Sequence, residues 1–227
     1  MKDKIKRMLW EYFLSGIRDG LAMQRLSPLV DGYLPWSSST LSATAVETVL
    51  NEIVVNGRSK IVECGGGVST VYIASLLSSQ GREGHLYTIE HDSEWLQVVE
   101  RLLSERGLSG RVTVVHAPLR EVGVSWGGEM WYDTESVKSE IPTSGVDFIL
   151  VDGPPAHRQE NSHSRYPAIP ILREVLDDRY SVLLDDIDRQ AEREIIESWQ
   201  SSLGISFDER FLDGNFAIGT RGESFTV

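Results

Sequence analysis

The segment from Ile61 to Thr70 constrains the fold more than any other part of the chain. It reads Ile-Val-Glu-Cys-Gly-Gly-Gly-Val-Ser-Thr, an apolar run that ends in three glycines and is followed at once by small residues suited to a helix start. Glycine has no Cβ and tolerates positive φ, so a glycine run after a strand lets the backbone approach a small polar ligand closely. The segment therefore predicts a strand, a ligand-binding turn and a helix.

Strand and helix patterns alternate along the chain on both sides of this turn. Strands are predicted over residues 60–64, 85–90, 111–116, 146–152 and 180–186, and helices over 3–26, 42–55, 69–79, 93–106, 167–176 and 188–203. Two last strands, near 205–211 and 216–220, are joined by Leu-Asp-Gly-Asn, a hairpin signal. Residues 119–143 show no clear period and predict a loop or a short helix over the sheet rim. This order is typical of a doubly wound, mostly parallel α/β sheet.

Residues 1–39 are interpreted as an N-terminal helix with a loop, and residues 40–227 as the main domain. Apolar residues share one face of the helix: Ile5, Met8, Leu9, Tyr12, Phe13, Ile17 and Leu21. This stripe is expected to pack on the main domain or on a second subunit, which is compatible with a homodimer. The loop that follows carries Tyr33 and Trp36, and it predicts either a wall or lid of a cleft or a packed connector.

Composition excludes several classes of partner. The chain has 22 basic and 34 acidic residues, a net charge of −12, whereas binding to nucleic acid or anionic lipid needs a basic face. The single cysteine, Cys64, permits no intramolecular disulfide and fits a reducing compartment. No stretch approaches the roughly 18 apolar residues of a membrane span, and the N-terminus does not read as a signal peptide. We therefore expect a cytoplasmic protein that binds neither nucleic acid nor membranes.

Acidic residues mark four of the predicted strand ends. Glu63, Glu90 and Asp152 end the first, second and fourth strands, and Asp185 with Asp186 ends the fifth. In doubly wound sheets, ligands bind outside the carboxyl ends of the strands. Because carboxylates are poor core residues, these acids predict a polar rim around one cleft.

Two cofactor classes match a glycine turn of this kind. A dinucleotide fold would have Gly-x-Gly-x-x-Gly, but Thr70 stands at the third glycine position. The pattern Glu-x-Gly-x-Gly-x-Ser from Glu63 to Ser69 resembles motif I of the class I S-adenosylmethionine-dependent methyltransferases. The run from Val146 to Pro155 looks like the fourth-strand motif of that family, and the closing hairpin looks like its seven-stranded sheet with one antiparallel strand. The resemblance covers about residues 40–220 and implies a Rossmann-like methyltransferase fold.

The resemblance also implies how the cofactor is held. The methionine end would be bound by the first-strand motif, Glu63, Gly65, Gly66, Gly67 and Ser69. Glu90 would accept hydrogen bonds from the ribose hydroxyls, and His91 would lie beside the adenine. Ala117 and Pro118 would border the adenine pocket, and Asp152 would lie near the sulfonium. A sulfonium cation is attracted by an acidic rim that would repel a pyrophosphate, which favours S-adenosylmethionine over NAD.

Before a hydroxyl oxygen can accept a methyl group, its proton must be removed or the pKa of the hydroxyl must be lowered. The sequence offers two kinds of residue that could do this. Asp152, Asp185 and Asp186 are carboxylates of the kind that Mg²⁺ prefers. They look like the ligands of metal-dependent small-molecule O-methyltransferases, although the last two are often Asp-Asn there. The alternative is a histidine base in the loop after the fourth strand, with His157 preferred to His163.

The acceptor is predicted to be a small hydroxylated molecule: a sugar, a phenol or a natural-product intermediate. Arg158 and Arg165 lie in the same loop as His157 and are expected at the surface, although either could orient the acceptor. Three other functions stay open: an aminopropyltransferase, an NAD-dependent oxidoreductase and a non-catalytic interaction protein on the same fold.

Overall fold

Strands and helices alternate along the chain, which the computed structural model describes over residues 2–79 and 83–227. The helices are α1 Lys2–Leu26, α2 Ala43–Asn56, α3 Val68–Ser78, α4 Ser93–Glu105, α5 Thr134–Glu140, α6 Ala168–Leu172 and α7 Gln190–Leu203. The strands are β1 Lys60–Cys64, β2 His85–Glu90, β3 Val112–His116, β4 Leu119–Glu121, β5 Met130–Tyr132, β6 Val146–Val151, β7 Leu176–Asp185, β8 Phe207–Arg210 and β9 Phe216–Arg221.

Seven strands form one twisted sheet in the order β3-β2-β1-β6-β7-β9-β8. Strand β1 pairs in parallel with both β2 and β6, and β9 runs antiparallel to both of its neighbours. The chain order reverses between β1 and β6, so this pair forms the switch point at which such sheets bind ligands. The predicted doubly wound, seven-stranded fold is confirmed.

Both faces of the sheet are buried, because successive side chains of a strand point to opposite faces. In β1, Ile61 packs into the core formed with α2, α3 and α4, whereas Val62 packs into the core formed with α6 and α7. Cys64 is fully buried in the second core, where it packs as a small apolar residue. Its neighbour, the glycine turn, is therefore held between two packed layers.

Local capping sets the ends of the helices around the turn. The Ser42 hydroxyl accepts a hydrogen bond from the Ala45 amide at the start of α2, and Gly57 ends that helix in the left-handed conformation. Helix α4 is capped by Asp92. The Asp92 carboxylate accepts hydrogen bonds from the amides of the first turn, and a carboxylate also interacts favourably with the helix dipole.

Residues 119–143 hold more structure than a loop or one short helix. Strands β4 and β5 form a separate antiparallel pair, and the short helix α5 follows. Each of these strands has only three residues, which is too short to show an alternation of apolar and polar residues. The pair places Tyr132 beside the switch point of the main sheet.

The described residues of the apolar stripe on α1 do not pack into the main domain. Phe13, Ile17 and Leu21 are 55%, 44% and 47% exposed, while Ala22 and Leu26 are the buried residues near the end of this helix. The side chains of Ile5, Met8, Leu9 and Tyr12 lie outside the described part of the helix. The prediction that the stripe packs on the main domain is therefore wrong for these three residues. Packing of the stripe on a second subunit stays a prediction. No helix in residues 2–79 or 83–227 is long and apolar enough to cross a bilayer.

Candidate active site

A cleft of about 670 Å³ opens at the carboxyl ends of β1, β2, β6 and β7. Most of the predicted site residues lie on its wall: Gly65, Gly66, Gly67, Ser69, Glu90, His91, Asp152, His157, Asp185 and Asp186. A second concavity, of about 600 Å³, lies between α3 and the end of α4, away from the strand ends. The first cleft is the candidate active site, since it has the size of ordinary small-molecule sites and its polar groups converge.

The glycine turn brings two strand ends into contact. Gly65 has a φ of +95°, and a Cβ built on it would lie 2.9 Å from the Gly153 amide nitrogen after β6. The Gly153 amide donates to the Cys64 carbonyl oxygen over 2.6 Å, which closes the contact. A Cβ on Gly67, by contrast, would meet no atom of the described residues within 4 Å, so this residue exposes its backbone to the open cleft. Gly67 therefore offers the space that a bound cofactor would fill.

Glu63 supports the turn instead of facing the cleft. Its side chain is fully buried, and the hydroxyls of Ser69 and Thr70 each donate to one of its carboxylate oxygens over 2.5 Å. Burial raises the pKa of Glu63 to about 7 in spite of these hydrogen bonds. The prediction that Glu63 contacts the cofactor directly is corrected, because the Glu63 side chain points to the face of the sheet that α3 covers.

One of the two carboxylate oxygens of Glu90 is bound by the loop that follows β2. Glu90 Oε1 accepts hydrogen bonds from the backbone amides of His91 and Asp92, over 2.7 and 2.8 Å. The same oxygen lies 2.7 Å from His91 Nδ1, but the two atoms are not aligned for a hydrogen bond. The Glu90 carboxylate raises the pKa of His91. In the described part of the chain, no donor reaches Glu90 Oε2. This oxygen is therefore suited to accept hydrogen bonds from a ligand hydroxyl in the cleft.

Ala117 and Pro118 lie behind the cleft wall. The buried Ala117 donates its amide to the Glu90 carbonyl oxygen over 2.9 Å, and the Pro118 carbonyl oxygen accepts from the Asp133 amide over 2.8 Å. Neither lines the cleft, which differs from the prediction that they border a nucleoside pocket. Their backbones instead fix the loop that follows β3 against β2 and α5.

Two wall residues were not among the predicted site residues. Trp95, in the first turn of α4, donates its Nε1 hydrogen to the Gly66 carbonyl oxygen over 2.7 Å. The Tyr132 hydroxyl is buried against the cleft without a hydrogen-bond partner among the described residues, and burial raises its pKa. A tryptophan five residues after Glu90 was a usable signal, because its indole can reach back to the neighbouring turn. Tyr132 gave no signal, since it comes from the segment without a period.

The acids after β6 and at the end of β7 converge as predicted. Asp152, Asp185 and Asp186 offer carboxylate oxygens that lie within 4.8 Å of one another. Asp186 has a φ of +63°, a left-handed conformation that aspartate and asparagine adopt more readily than most residues. Burial raises the pKa of Asp152 to about 6 and holds that of Asp185 well above its ordinary value.

Arg165 lies inside this acidic cluster, which corrects the expectation that it is a surface residue. Its side chain is 4% exposed, and its Nη2 lies 3.0 Å from Asp186 Oδ2 and 3.4 Å from Asp152 Oδ1. Arg158 is exposed, as expected. The oxygens suit a hard cation, but a guanidinium already lies among them. The residues present therefore fit a divalent metal poorly as long as Arg165 stays in place.

The two candidate histidines differ in their surroundings. His157 is exposed and lies on the cleft wall. His163 is held outside it: its Nε2 lies 2.7 Å from Glu194 Oε2, and its ring stacks on Trp126 with centroids 4.7 Å apart. Of the two, His157 alone lines the cleft, which agrees with the preference for it.

The loop before α2 combines the two alternatives that its sequence left open. Tyr33 is 82% exposed, and Trp36 packs on Tyr72 with ring centroids 6.1 Å apart. The four residues 37–40, Ser-Ser-Ser-Thr, lie on the cleft wall. Trp36 thus belongs to a packed connector, Tyr33 is exposed, and residues 37–40 form part of the cleft wall.

Comparison with solved structures shows the same fold in known proteins. A proposed caffeoyl-CoA O-methyltransferase from Staphylococcus aureus superposes with a TM-score of 0.60 at 14% identity, covering 94% of this chain and 100% of that one. A proposed O-methyltransferase from Klebsiella pneumoniae gives 0.59 at 18% identity, with 91% and 90% covered. A methyltransferase from Podospora anserina, bound to S-adenosylhomocysteine, gives 0.59 at 11% identity, with 93% and 88% covered.

The sequence itself identifies the family. No curated protein matches the chain in sequence. The model of a family described as "Methyltransferase domain" matches residues 62–187, more than half of the chain and the part that holds the glycine turn, Glu90 and the acidic cluster. The chain therefore belongs to this methyltransferase-domain family and, as its motifs predict, is a class I S-adenosylmethionine-dependent methyltransferase.

Proposed function

We propose that the chain transfers a methyl group from S-adenosylmethionine to a hydroxyl group of a small molecule, such as a sugar, a phenol or a natural-product intermediate. One observation carries the proposal: the glycine turn, Glu90 and the acids after β6 and β7 all line a single cleft. When bound, S-adenosylmethionine supplies an electrophilic methyl group on a cationic sulfur. The remaining chemistry belongs to the residues of the cleft.

The cofactor would be held at its two ends by different kinds of group. The bare backbone at Gly67 leaves room for the methionine part, and Glu90 Oε2 is available to accept hydrogen bonds from the ribose. The acids near Asp152 face the same space, and their negative charge would attract the sulfonium. The Tyr132 hydroxyl is a further donor for this ligand, because it otherwise lacks a described partner.

The acceptor side of the cleft would position the attacking oxygen and take its proton. Orientation alone can lower the barrier of an in-line displacement substantially. Residues 37–40 offer hydroxyl groups, and the exposed His157 is our candidate base, with Asp152 on the same cleft wall to assist it. A divalent cation on Asp152, Asp185 and Asp186 is the alternative device, and the position of Arg165 argues against it.

Three observations support a small acceptor and transfer to oxygen. The cleft of about 670 Å³ matches the range for small-molecule sites. The net charge of −12 disfavours nucleic acid as the acceptor. Two of the similar folds are described as O-methyltransferases, which supports the assignment by analogy of fold alone.

Calorimetry with S-adenosylhomocysteine tests the cofactor part. The wild-type chain should bind one molecule, and Glu90→Gln should weaken binding at least 10-fold, since an amide cannot accept from two ribose hydroxyls as a carboxylate does. Glu94→Gln, on the exposed first turn of the next helix, is the matched control and should leave the dissociation constant unchanged. Absence of binding at millimolar ligand would refute the proposal.

An acceptor screen with labelled S-adenosylmethionine tests the reaction. With an active hydroxylated acceptor in hand, His157→Gln should lower kcat by about 10²-fold, the usual contribution of a general base, at an unchanged affinity for S-adenosylhomocysteine. Polyamine formation from decarboxylated S-adenosylmethionine and putrescine would instead indicate an aminopropyltransferase. Binding of NAD in place of S-adenosylhomocysteine would indicate an oxidoreductase.

A further inference from the structure

Arg165 is held in the acidic cluster by three hydrogen bonds and two further ion-pair contacts. Arginine has five N–H donors in one plane. Five acceptors lie around this guanidinium, at 3.0 to 3.8 Å: the Pro154 and Asp185 carbonyl oxygens and the carboxylates of Asp152, Asp186 and Glu192. They come from the loop after β6, the end of β7 and the start of α7. The side chain is thus fixed from three directions.

We propose that Arg165 is the permanent cation of this cleft and takes the place that a divalent metal would have, so that the chain transfers methyl groups without a metal. The inference deepens the proposed function and, as far as it concerns methyl transfer, rests on it. Arg165 acts here as a positioning residue, through the carboxylates that it holds.

The guanidinium occupies one oxygen of two of the three carboxylates that would hold a metal. Asp152 Oδ1 and Asp186 Oδ2 both lie within 3.4 Å of Arg165 Nη2. Asp186 Oδ2 is also 2.9 Å from Arg189 Nη2. A divalent ion on these oxygens would stand beside two guanidinium groups, and like charges at such distances repel strongly away from bulk water.

The guanidinium also joins carboxylates from different parts of the fold, as a bound metal would. It holds Asp152 and Asp186, from two different strand ends, at one fixed separation. An arginine keeps its charge at every physiological pH, and its planar fork matches carboxylates better than a lysine does. Three carboxylates, those of Asp152, Asp186 and Glu192, form ion pairs with the two guanidiniums of Arg165 and Arg189, so negative charge remains near the sulfonium of the cofactor.

Binding of Mn²⁺ to the full chain, measured by electron paramagnetic resonance after EDTA treatment, tests the proposal without cofactor or acceptor. The wild-type chain should bind no stoichiometric Mn²⁺. Arg165→Met, which frees the carboxylates, should gain one Mn²⁺ per chain and be raised in Tm by the ion. Arg189→Met keeps Arg165 and is the matched control, which should bind none.

Two results would overturn the proposal. One is a wild-type chain that binds one Mn²⁺ and loses it in Asp186→Asn; the other is a folded Arg165→Met chain that binds none. If Arg165→Met does not fold, the wild-type measurement decides, together with Arg165→Lys, which keeps the charge and should still exclude Mn²⁺. Because the readout needs no cofactor, a chain that fails to bind S-adenosylhomocysteine would refute the proposed function and leave the Mn²⁺ result standing.

Discussion

The indole nitrogen of Trp95 donates a hydrogen bond to the carbonyl oxygen of Gly66 over 2.7 Å, so the helix after β2 holds the glycine turn after β1. The turn consists of consecutive glycines, which lose more backbone freedom on ordering than any other residue. An external donor that fixes one of its carbonyl groups therefore prepares the turn for a ligand. The cofactor need not supply all of that ordering when it binds.

Replacement of Trp95 by phenylalanine should weaken cofactor binding, because the turn would no longer be ordered before the ligand binds. The variant keeps most of the aromatic surface and loses one hydrogen bond, worth about 1 kcal/mol or roughly a 5-fold higher Kd. Calorimetry with S-adenosylhomocysteine measures the effect, and Trp10→Phe, at a 60% exposed position on α1, is the control. An unchanged Kd in the Trp95 variant would mean that the turn is ordered without the indole.

Tyr132→Phe should change binding and stability in opposite directions. Without ligand, the hydroxyl is a buried polar group with no described partner, so its removal should leave the Tm unchanged or raise it. With ligand, the variant loses a donor, and the Kd for S-adenosylhomocysteine should rise about 10-fold. Tyr33→Phe, at an 82% exposed position, should alter neither value. A lower Tm with an unchanged Kd would assign the hydroxyl to the fold instead.

Local signals made much of this fold predictable. The strand, the glycine turn and the helix between Lys60 and Ser78 depend on residues within a few positions of one another, and all three were predicted from the sequence. The acids at 90, 152, 185 and 186 were placed at one cleft because parallel strands end at the same edge of a sheet.

The errors concern properties that tertiary packing decides. The side of the sheet that Glu63 faces depends on the register of a five-residue strand, in which the next-to-last residue points under α3. Arg165 is buried because acceptors from three distant segments surround it, and no spacing along the chain reveals that. Tyr132 reaches the cleft through a strand pair too short to show a period.

Two glycines of the cleft should respond differently to an added methyl group. A Cβ at Gly67 meets open space in the cleft, so Gly67→Ala should fold and bind S-adenosylhomocysteine at least 10-fold more weakly. A Cβ at Gly153 would lie 2.9 Å from the Gly65 Cα, so Gly153→Ala should lower the free energy of unfolding by about 1 to 3 kcal/mol. Urea unfolding and calorimetry on both variants separate the two effects. Equal loss of stability in both would show that Gly67 does not face free space.

Glu63 should make stability depend on pH in a defined window. Its pKa is raised from 4.5 to about 7, so between these values the folded chain keeps a proton that the unfolded chain has lost. A penalty on the folded state therefore builds up from pH 4.5 to 7 and is complete above pH 7. Since one pKa unit corresponds to about 1.4 kcal/mol, the full penalty is on the order of 3 kcal/mol.

Glu63→Gln isolates this penalty, because the amide keeps the shape and cannot ionise. The difference in free energy of unfolding, variant minus wild type, should therefore increase by about 2 to 3 kcal/mol between pH 5 and pH 8. Urea unfolding at several pH values measures it, with Glu94→Gln as an exposed control whose difference should stay flat. The buried acids Asp152 and Asp185 also titrate, but they are present in both chains and cancel in the difference unless they couple to Glu63. A difference that does not change with pH would mean that Glu63 ionises in the folded chain as easily as in water, and that the hydroxyls of Ser69 and Thr70 fully offset its burial.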